Sequence, residues 1–260
     1  LKKMSGDKIA IVTGGNKGIG FAIVKGLCEK FQGVVYLTAR DKNRGKDAVK
    51  KLNKLSLNPA FHELDITNVD SINIFAHFIQ KKHGGIDVLV NNAGVANKRF
   101  DLKAFGEQAE FAVTTNYFGL LNVCHVLFPL LRPHARVVNM SSCVGSVVKI
   151  KGKNLQEIFK DPNLTEERLS TLMNEFVLAA KNGDYLEKGW GESGYIVSKV
   201  GVTALTFIQH RRFVMDPRED LVVNAVHPGF VKTDLTENRG FLSPEQGIVQ
   251  NILSVTKNLL

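Results

Sequence analysis

Short apolar runs rich in β-branched residues alternate along the whole chain with longer segments of helical periodicity. The runs are nearly continuous, which is typical of strands buried on both faces of a parallel sheet. Strands are predicted at residues 8–13, 34–39, 61–64, 88–91, 136–141 and 221–227. Helices are predicted at residues 19–31, 42–55, 69–82, 107–131, 195–213 and 246–259. Repeated strand–helix units predict a single α/β domain over residues 1–260, built on a doubly wound parallel sheet with helices on both faces.

One segment, residues 149–190, interrupts this alternation because it contains no convincing strand. Thr165, followed by two glutamates, is typical of a helix start, where a hydroxyl and acidic side chains suit the first turn. The apolar positions that follow have helical spacing: Leu169, Leu172, Met173, Phe176 and Val177. We therefore predict an amphipathic helix within an insertion that lies on the alternating core.

The composition is that of an ordinary globular protein, since 44% of the 260 residues are hydrophobic and 23% are charged. The net charge of +9 suits an anionic partner, which leaves a nucleic acid, a membrane surface or a phosphorylated cofactor. No uninterrupted apolar run approaches the ~18 residues of a membrane span, and no signal-peptide pattern opens the chain. The three cysteines are far apart and the histidines lack ligand spacing, so we expect a cytoplasmic protein without disulfides or a metal.

A glycine-rich turn follows the first predicted strand directly and opens the first predicted helix. Glycine lets the backbone turn sharply and approach a pyrophosphate, and the amino end of the helix then faces the phosphates. A plain turn is the competing interpretation, but the strand–turn–helix context favours a dinucleotide site. The candidate cofactor-binding residues of this turn are Gly14, Asn16, Lys17, Gly18, Ile19 and Gly20.

The end of the second predicted strand distinguishes the two nicotinamide dinucleotides. An NAD site has a carboxylate about 20 residues after the glycines, whereas an NADP site has an arginine for the 2′-phosphate. Arg40 occupies this position, and Lys17 adds a second cation for the same phosphate. Asp41 is the opposing signal, and a solvated charge at a helix start is the alternative for Arg40. Two cations, Arg40 and Lys17, are stronger evidence than one acid a position away from the expected place, so the sequence favours NADPH.

Tyr195 and Lys199 lie four residues apart in a helical pattern, so both project from one face. An ammonium ~4 Å away lowers a phenol pKa by up to about three units at an effective dielectric of ~20, which suits proton transfer. Such a pair alone is common on helix surfaces. A catalytic interpretation of this pair is favoured here because the serine pair 141–142 and the asparagine pair 91–92 end predicted strands. Open α/β sheets bind ligands at that edge.

The candidate residues fall into motifs with a distinctive order along the chain. They are Thr13-Gly14-xxx-Gly18-x-Gly20, Asn91-Asn92-Ala93-Gly94, Asn116, Ser142, Tyr195-xxx-Lys199 and His227-Pro228-Gly229 with Thr233. Together they resemble the short-chain dehydrogenase/reductase family, and within it the monomeric NADPH-dependent carbonyl reductases. The resemblance covers essentially the whole chain. It implies a Rossmann fold and NADPH-dependent reduction of quinones, aldehydes and ketones to alcohols.

The resemblance also implies catalytic roles. Tyr195 is expected to be the general acid that protonates the carbonyl oxygen, while Ser142 binds that oxygen. Lys199 is expected to bind the nicotinamide ribose and to lower the pKa of Tyr195. Asn116 is expected to hold a water that connects Lys199 to solvent.

The same resemblance assigns further contacts to the cofactor and the substrate. Leu64 and Asp65 are expected at the adenine, Asn92 at the adenosine ribose, and Val231 and Thr233 at the nicotinamide amide. Phe230 stands where related reductases carry tryptophan, so it is expected to shape the substrate wall. Gln108 is a further candidate for the substrate-pocket mouth, with ordinary loop polarity as the alternative.

The distance between the catalytic serine and tyrosine is a departure from most of the family, because 53 residues separate Ser142 from Tyr195 here. The carbonyl reductases share this insertion. Family members without it pair through two long helices, so we expect the insertion to cover that surface and the chain to be a monomer. The alternatives are a specific NADPH ketone reductase of one pathway and an inactive NADPH-binding sensor. Nucleic-acid binding lacks a supporting motif.

Overall fold

The computed structural model describes residues 7–96 and 103–246. The strands in these ranges are β1 Lys8–Val12, β2 Gly33–Ala39, β3 Ala60–Glu63, β4 Ile86–Asn91, β5 Leu131–Met140 and β6 Val222–Val226. They form one parallel sheet in the order β3-β2-β1-β4-β5-β6. All six predicted strands are confirmed, although β5 begins at Leu131 rather than at residue 136.

The helices in the same ranges are α1 Gly18–Lys30, α2 Lys42–Asn53, α3 Val69–His83, α4 Phe105–Val113, α5 Leu120–Leu127, α6 Lys153–Lys160, α7 Glu166–Asn182 and α8 Gly194–Val214. The single helix predicted over residues 107–131 is divided, because a π-helical segment, Thr114–Gly119, joins α4 to α5. The helix predicted at residues 246–259 lies, apart from its first residue, outside the described residues.

Strand β1 explains why the apolar runs are continuous. Ile9 and Ile11 face the layer that contains α3, α5 and α8, whereas Ala10 and Val12 face the layer of α1 and α2. All four side chains are fully buried, so both faces of the strand require apolar residues.

The order of the strands fixes where a ligand can bind. The chain proceeds from β1 to β2 and β3 on one side, then crosses back to place β4 on the other side of β1. The loops that follow β1 and β4 therefore diverge and open a crevice at the carboxyl ends of these strands. Ligands bind at such switch points in open α/β sheets.

The insertion contributes α6 and α7, and α7 packs against α4 and α8. A Cβ at Gly106 of α4 would lie 2.8 Å from the Lys181 Cα, and one at Gly201 of α8 would lie 2.7 Å from the Met173 sulfur. The predicted stripe Leu169, Leu172, Met173 and Phe176 is fully buried, and Val177 is partly buried. The expectation that the insertion folds back onto the two long helical segments is confirmed.

The helical stretch Phe105–Leu130 has the length of a membrane span and a mean hydropathy of 1.3 in its most apolar window. Inside the protein, 67% of that window is buried. Its apolar character is therefore accounted for by packing in the core.

Candidate active site

The turn after β1 depends on glycine at defined positions. Gly14 and Gly18 have left-handed backbones, with φ of +65° and +54°. A Cβ at Gly20 would lie 2.3 Å from the Gly14 carbonyl oxygen, so α1 starts in direct contact with the turn. Lys17 is the N-cap of α1 but makes no capping bond through its side chain, and the first turn has no acid. Open helix amides beside a close-packed glycine turn fit a pyrophosphate group.

Thr13 and Asn92 connect this turn to the loop that follows β4. The Thr13 hydroxyl accepts the backbone N–H groups of Asn92 and Ala93, both at 3.0 Å. The Asn92 amide donates to the carbonyls of Thr13 at 2.8 Å and Gly14 at 3.2 Å. The side-chain nitrogen of Asn92 is therefore bound to the turn itself, so Asn92 positions the glycine turn, a role that differs from the expected ribose contact.

The loop after β6 lies over the same turn. The Thr233 methyl carbon is 3.3 Å from the position that a Gly18 Cβ would take. Val231 is buried beneath it, and the Lys232 N–H donates to the Leu242 carbonyl at 2.8 Å. Thr233 is thus placed against the glycine turn, and the contacts of Val231 and Thr233 with the nicotinamide amide stay predictions.

The proposed 2′-phosphate locus contains an acid that is already bound. Asp41 caps α2 by accepting the Arg44 N–H at 2.9 Å, and its other oxygen pairs with the Arg44 guanidinium at 3.1 Å. These interactions hold the pKa of Asp41 below its usual range. Arg40 is exposed, whereas Lys17 forms an ion pair with Asp234 at 2.7 Å. The opposing signal from Asp41 is therefore weakened. Lys17 is paired with an acid here, and its contact with the 2′-phosphate stays a prediction.

Leu64 and Asp65 follow β3 at the neighbouring part of this edge. Leu64 is buried, and its N–H donates to the Ala39 carbonyl at 3.0 Å. One Asp65 oxygen accepts both the N–H and the hydroxyl of Thr67, at 2.9 and 2.7 Å. The loop geometry therefore fixes the orientation of Asp65.

The two serines that follow β5 have different environments. The Ser141 hydroxyl is buried and bonds the Thr203 hydroxyl at 2.7 Å and the Lys199 carbonyl at 3.2 Å. The Ser142 hydroxyl lies close enough to the Tyr195 phenol to lower the pKa of that phenol. The second serine of the pair is therefore the one that faces the tyrosine.

Tyr195 occupies the first turn of α8, which begins where two helices touch. A Cβ at Gly194 would lie 2.7 Å from the Ala109 Cα, so α8 starts against α4. Burial raises the pKa of Tyr195 above its usual range, and the neighbouring Ser142 hydroxyl opposes this only in part. The predicted lowering of this pKa by Lys199 is therefore absent from this arrangement, and the phenol stays protonated at neutral pH.

Lys199 is buried one turn further along α8. Its ammonium donates to the Met140 carbonyl at 2.6 Å and lies 5.8 Å from the centroid of the Tyr195 ring. Burial lowers the pKa of Lys199 to about 8. The ammonium points toward the end of β5 rather than at the phenol oxygen, which explains why it leaves the pKa of Tyr195 raised.

Asn116 lies in the π-helical segment and is almost fully buried. Its carbonyl oxygen accepts the Val95 N–H at 2.7 Å, and its amide donates to the Val95 carbonyl and the Ser198 hydroxyl, both at 2.9 Å. A Cβ at Gly94 would lie 3.1 Å from the Asn116 oxygen and 3.7 Å from the Lys199 nitrogen. Asn116 therefore positions the loop after β4 beside Lys199, while its bound water remains a prediction.

The candidate substrate residues are on two different elements. Phe230 is 42% exposed and packs edge-on against Phe241, with ring centroids 5.8 Å apart. Gln108 lies on α4 beside Gly194, and its side-chain amide donates to the Lys103 carbonyl at 2.7 Å.

A family model described as "short chain dehydrogenase" matches residues 8–154, which include the glycine turn, β1 to β5 and Ser142. The chain belongs to the short-chain dehydrogenase family. Carbonyl reductase (NADPH) 1 of Rattus norvegicus is 47% identical over 94% of this chain and 89% of its own length. The Homo sapiens protein of the same name is 46% identical over 94% of this chain and 88% of its own length.

Solved structures give the same result for the fold of this short-chain dehydrogenase. Salutaridine reductase from Papaver somniferum has a TM-score of 0.85 and 32% identity, over 97% of this chain and 95% of that one. Menthone neomenthol reductase from Mentha piperita has a TM-score of 0.75 and 28% identity, over 94% of this chain and 95% of that one. The predicted Rossmann-type sheet is thereby confirmed.

A cavity of about 630 Å³ adjoins Ser142 in this short-chain dehydrogenase. Phe159 and Leu164 of the insertion and Phe207 of α8 form apolar parts of its wall. A cavity of this size and lining suits an organic molecule. Cys143 also lines this cavity, and its side chain is exposed.

Sequence reasoning missed several residues that shape the site. Ser198 holds the Asn116 amide, the Met140 carbonyl accepts from Lys199, and Asp234 binds Lys17. These partners lie between 59 and 217 residues away along the chain. Asp234 directly follows Thr233, a predicted cofactor residue, so its sequence position could have indicated that it belongs to the site.

Proposed function

We propose that this protein reduces carbonyl compounds, including quinones, aldehydes and ketones, to alcohols with NADPH. The observation that carries the proposal is the closeness of the Ser142 and Tyr195 hydroxyls to each other, beside buried Lys199 at the edge that also holds the glycine turn. Support comes from relatives at 46–47% identity whose names state NADPH-dependent carbonyl reduction.

The chain's own groups supply binding and proton transfer. The bound cofactor supplies the hydride. The Ser142 hydroxyl donates to the substrate oxygen, and the Tyr195 phenol, protonated at neutral pH, gives its proton to that oxygen as negative charge develops. Lys199 provides a positive charge that stabilises the phenolate that proton transfer leaves on Tyr195. The open amides of α1 and the exposed Arg40 would hold the phosphates.

A specific NADPH ketone reductase is the second candidate. The supporting observation is the structural similarity to the salutaridine and menthone neomenthol reductases over nearly the whole chain. The two candidates share one chemistry and differ in breadth of substrate. An inactive NADPH sensor is disfavoured because the serine, tyrosine and lysine are all present and adjacent.

The function is tested by following NADPH oxidation against a panel of quinones, aldehydes and ketones. We expect turnover of several classes, with kcat/KM at least about tenfold higher for NADPH than for NADH, equivalent to about 1.4 kcal/mol. Arg40→Asp should reduce kcat/KM for NADPH far more than for NADH. Turnover of one ketone alone would favour the second candidate, and equal use of both cofactors would contradict the 2′-phosphate assignment.

We also propose that the protein is a cytoplasmic monomer whose partner is a small carbonyl compound rather than a nucleic acid or a membrane. The location is supported by Cys28, Cys124 and Cys143 all being free thiols in the described structure. The monomer is supported by α7, which covers the faces of α4 and α8 with a fully buried stripe.

Sedimentation equilibrium at micromolar concentration tests the monomer. We expect a mass near the chain mass of 28.7 kDa. Leu172→Asp should expose the apolar faces of α7, α4 and α8 and produce larger species, whereas Glu175→Gln on the exposed side of α7 should leave the mass unchanged. A wild-type mass twice that of the chain would refute the monomer.

A further inference from the structure

The ion pair between Lys17 and Asp234 connects the two segments that enclose the predicted cofactor crevice. Lys17 ends the glycine turn as the N-cap of α1, and Asp234 begins the short 3₁₀ helix Asp234–Thr236 after β6. Their nitrogen and oxygen are 2.7 Å apart, although 217 residues separate them in sequence. The side chains are 61% and 70% exposed, so a bound molecule can reach both.

The position of Asp234 does not depend on this ion pair. Thr233 and Thr236 form a reciprocal capping box, and the Thr236 hydroxyl donates to the Val231 carbonyl at 2.6 Å. Thr233 also packs against Gly18. The loop backbone therefore places the Asp234 carboxylate at the amino end of α1, and the loop would keep this geometry if the carboxylate became an amide.

A carboxylate at this position affects the two dinucleotides differently. The 2′-phosphate of NADPH carries nearly two negative charges at neutral pH, whereas NADH has only hydroxyls there. One ammonium cannot satisfy a carboxylate and a phosphate fully. A Lys17 side chain held by Asp234 is unavailable to the phosphate, so the apparent Kd rises in inverse proportion to the fraction of Lys17 that is free.

We propose that Asp234 competes with the 2′-phosphate of NADPH for Lys17 and thereby limits the preference of this protein for NADPH over NADH. The inference rests on the proposed function, because it takes the NADPH phosphate to lie beside Lys17. Asp234 is then a specificity-determining residue that acts through Lys17. Its hydrogen bond to Lys17 holds its pKa below the usual range, so the competitor stays ionised at neutral pH.

The test measures Kd for NADPH and NADH by cofactor fluorescence in wild type, Asp234→Asn, Lys17→Met and the double variant. Asp234→Asn should lower the Kd for NADPH about two- to fivefold, the scale of an exposed ion pair, and leave the Kd for NADH unchanged. The difference should shrink at high salt. Lys17→Met should weaken NADPH selectively, and adding Asp234→Asn to it should change nothing.

A matched control is Glu175→Gln, which removes another exposed ion pair, with Arg168 on α7, and should leave both Kd values unchanged. Weaker binding of both cofactors by Asp234→Asn would overturn the proposal, because the pair would then be a latch that holds the loop closed. A selective gain that persists without Lys17 would also overturn it. Wild-type protein that does not bind NADPH would refute the proposed function itself, whereas NADPH binding without a selective effect of Asp234→Asn would refute only this inference.

Discussion

Tyr195→Phe is expected to lower kcat for carbonyl reduction by two or more orders of magnitude while leaving the Kd for NADPH nearly unchanged. The substitution removes only the phenol hydroxyl, which is the proposed proton donor and the partner of Ser142. Loss of a positioned general acid costs about 10²–10⁴ in rate, or roughly 3–5 kcal/mol in the barrier. The ring keeps its packing in the first turn of α8, so the cofactor site should remain intact.

Steady-state kinetics with a quinone and fluorescence titration with NADPH separate these two effects. Tyr185→Phe is the matched control, because Tyr185 packs against Phe105 in the insertion region with ring centroids 4.3 Å apart, outside the proposed chemistry. It should keep near wild-type kcat. A Tyr195→Phe enzyme that retained most of its activity would show that another group donates the proton.

The strands and the glycine turn could be predicted because their signals are local. Continuous apolar runs reflect burial on both faces, as Ile9 and Ala10 illustrate, and glycine at Gly20 reflects contact with a carbonyl six residues away. The π-helical segment around Asn116 could not be predicted in this way. Its apolar spacing resembles that of the flanking α-helices, and the partners of its Asn116 side chain, Val95 and Ser198, are distant in sequence.

The identity of the site residues was easier to predict than their partners. Ser142, Tyr195 and Lys199 come together as the motif order implies, but the direction of the Lys199 ammonium depends on the Met140 carbonyl. Charge alone indicated that Lys17 would face a phosphate. Only the fold brings Asp234 within 2.7 Å of it, and long-range pairs of this kind leave no periodic signal in the sequence.

Lys199→Met is expected to reduce kcat by at least about two orders of magnitude and, unlike Tyr195→Phe, to weaken NADPH binding as well. In the proposed site the ammonium binds the ribose of the cofactor and also stabilises the phenolate that proton transfer leaves on Tyr195. Lys188→Met, which removes an exposed ammonium paired with Asp184, is the matched control and should change neither quantity. Wild-type NADPH affinity in Lys199→Met would exclude Lys199 from the cofactor site.

The pH dependence gives this prediction a definite direction. Burial disfavours the charged form of Lys199 and lowers its pKa to about 8. The amine is therefore fully protonated well below pH 8 and loses its charge above that pH. We therefore expect kcat/KM for NADPH, which reports the free enzyme, to fall above about pH 8 in wild type. The fall should be absent from Lys199→Met.

The free energy of unfolding provides an independent readout, because it should rise with pH where kcat/KM falls. An unfolded lysine keeps its proton to about pH 10.4, so between about pH 8 and pH 10.4 the unfolded chain binds one proton more than the native state. The free energy of unfolding attributable to Lys199 should therefore rise with pH in this window, by at most about 3 kcal/mol. Denaturant titrations of wild type and Lys199→Met at pH 7 and pH 10 would measure this difference. A constant difference would mean that Lys199 is not a buried cation in the native protein, and its assigned role beside Tyr195 would fail with it.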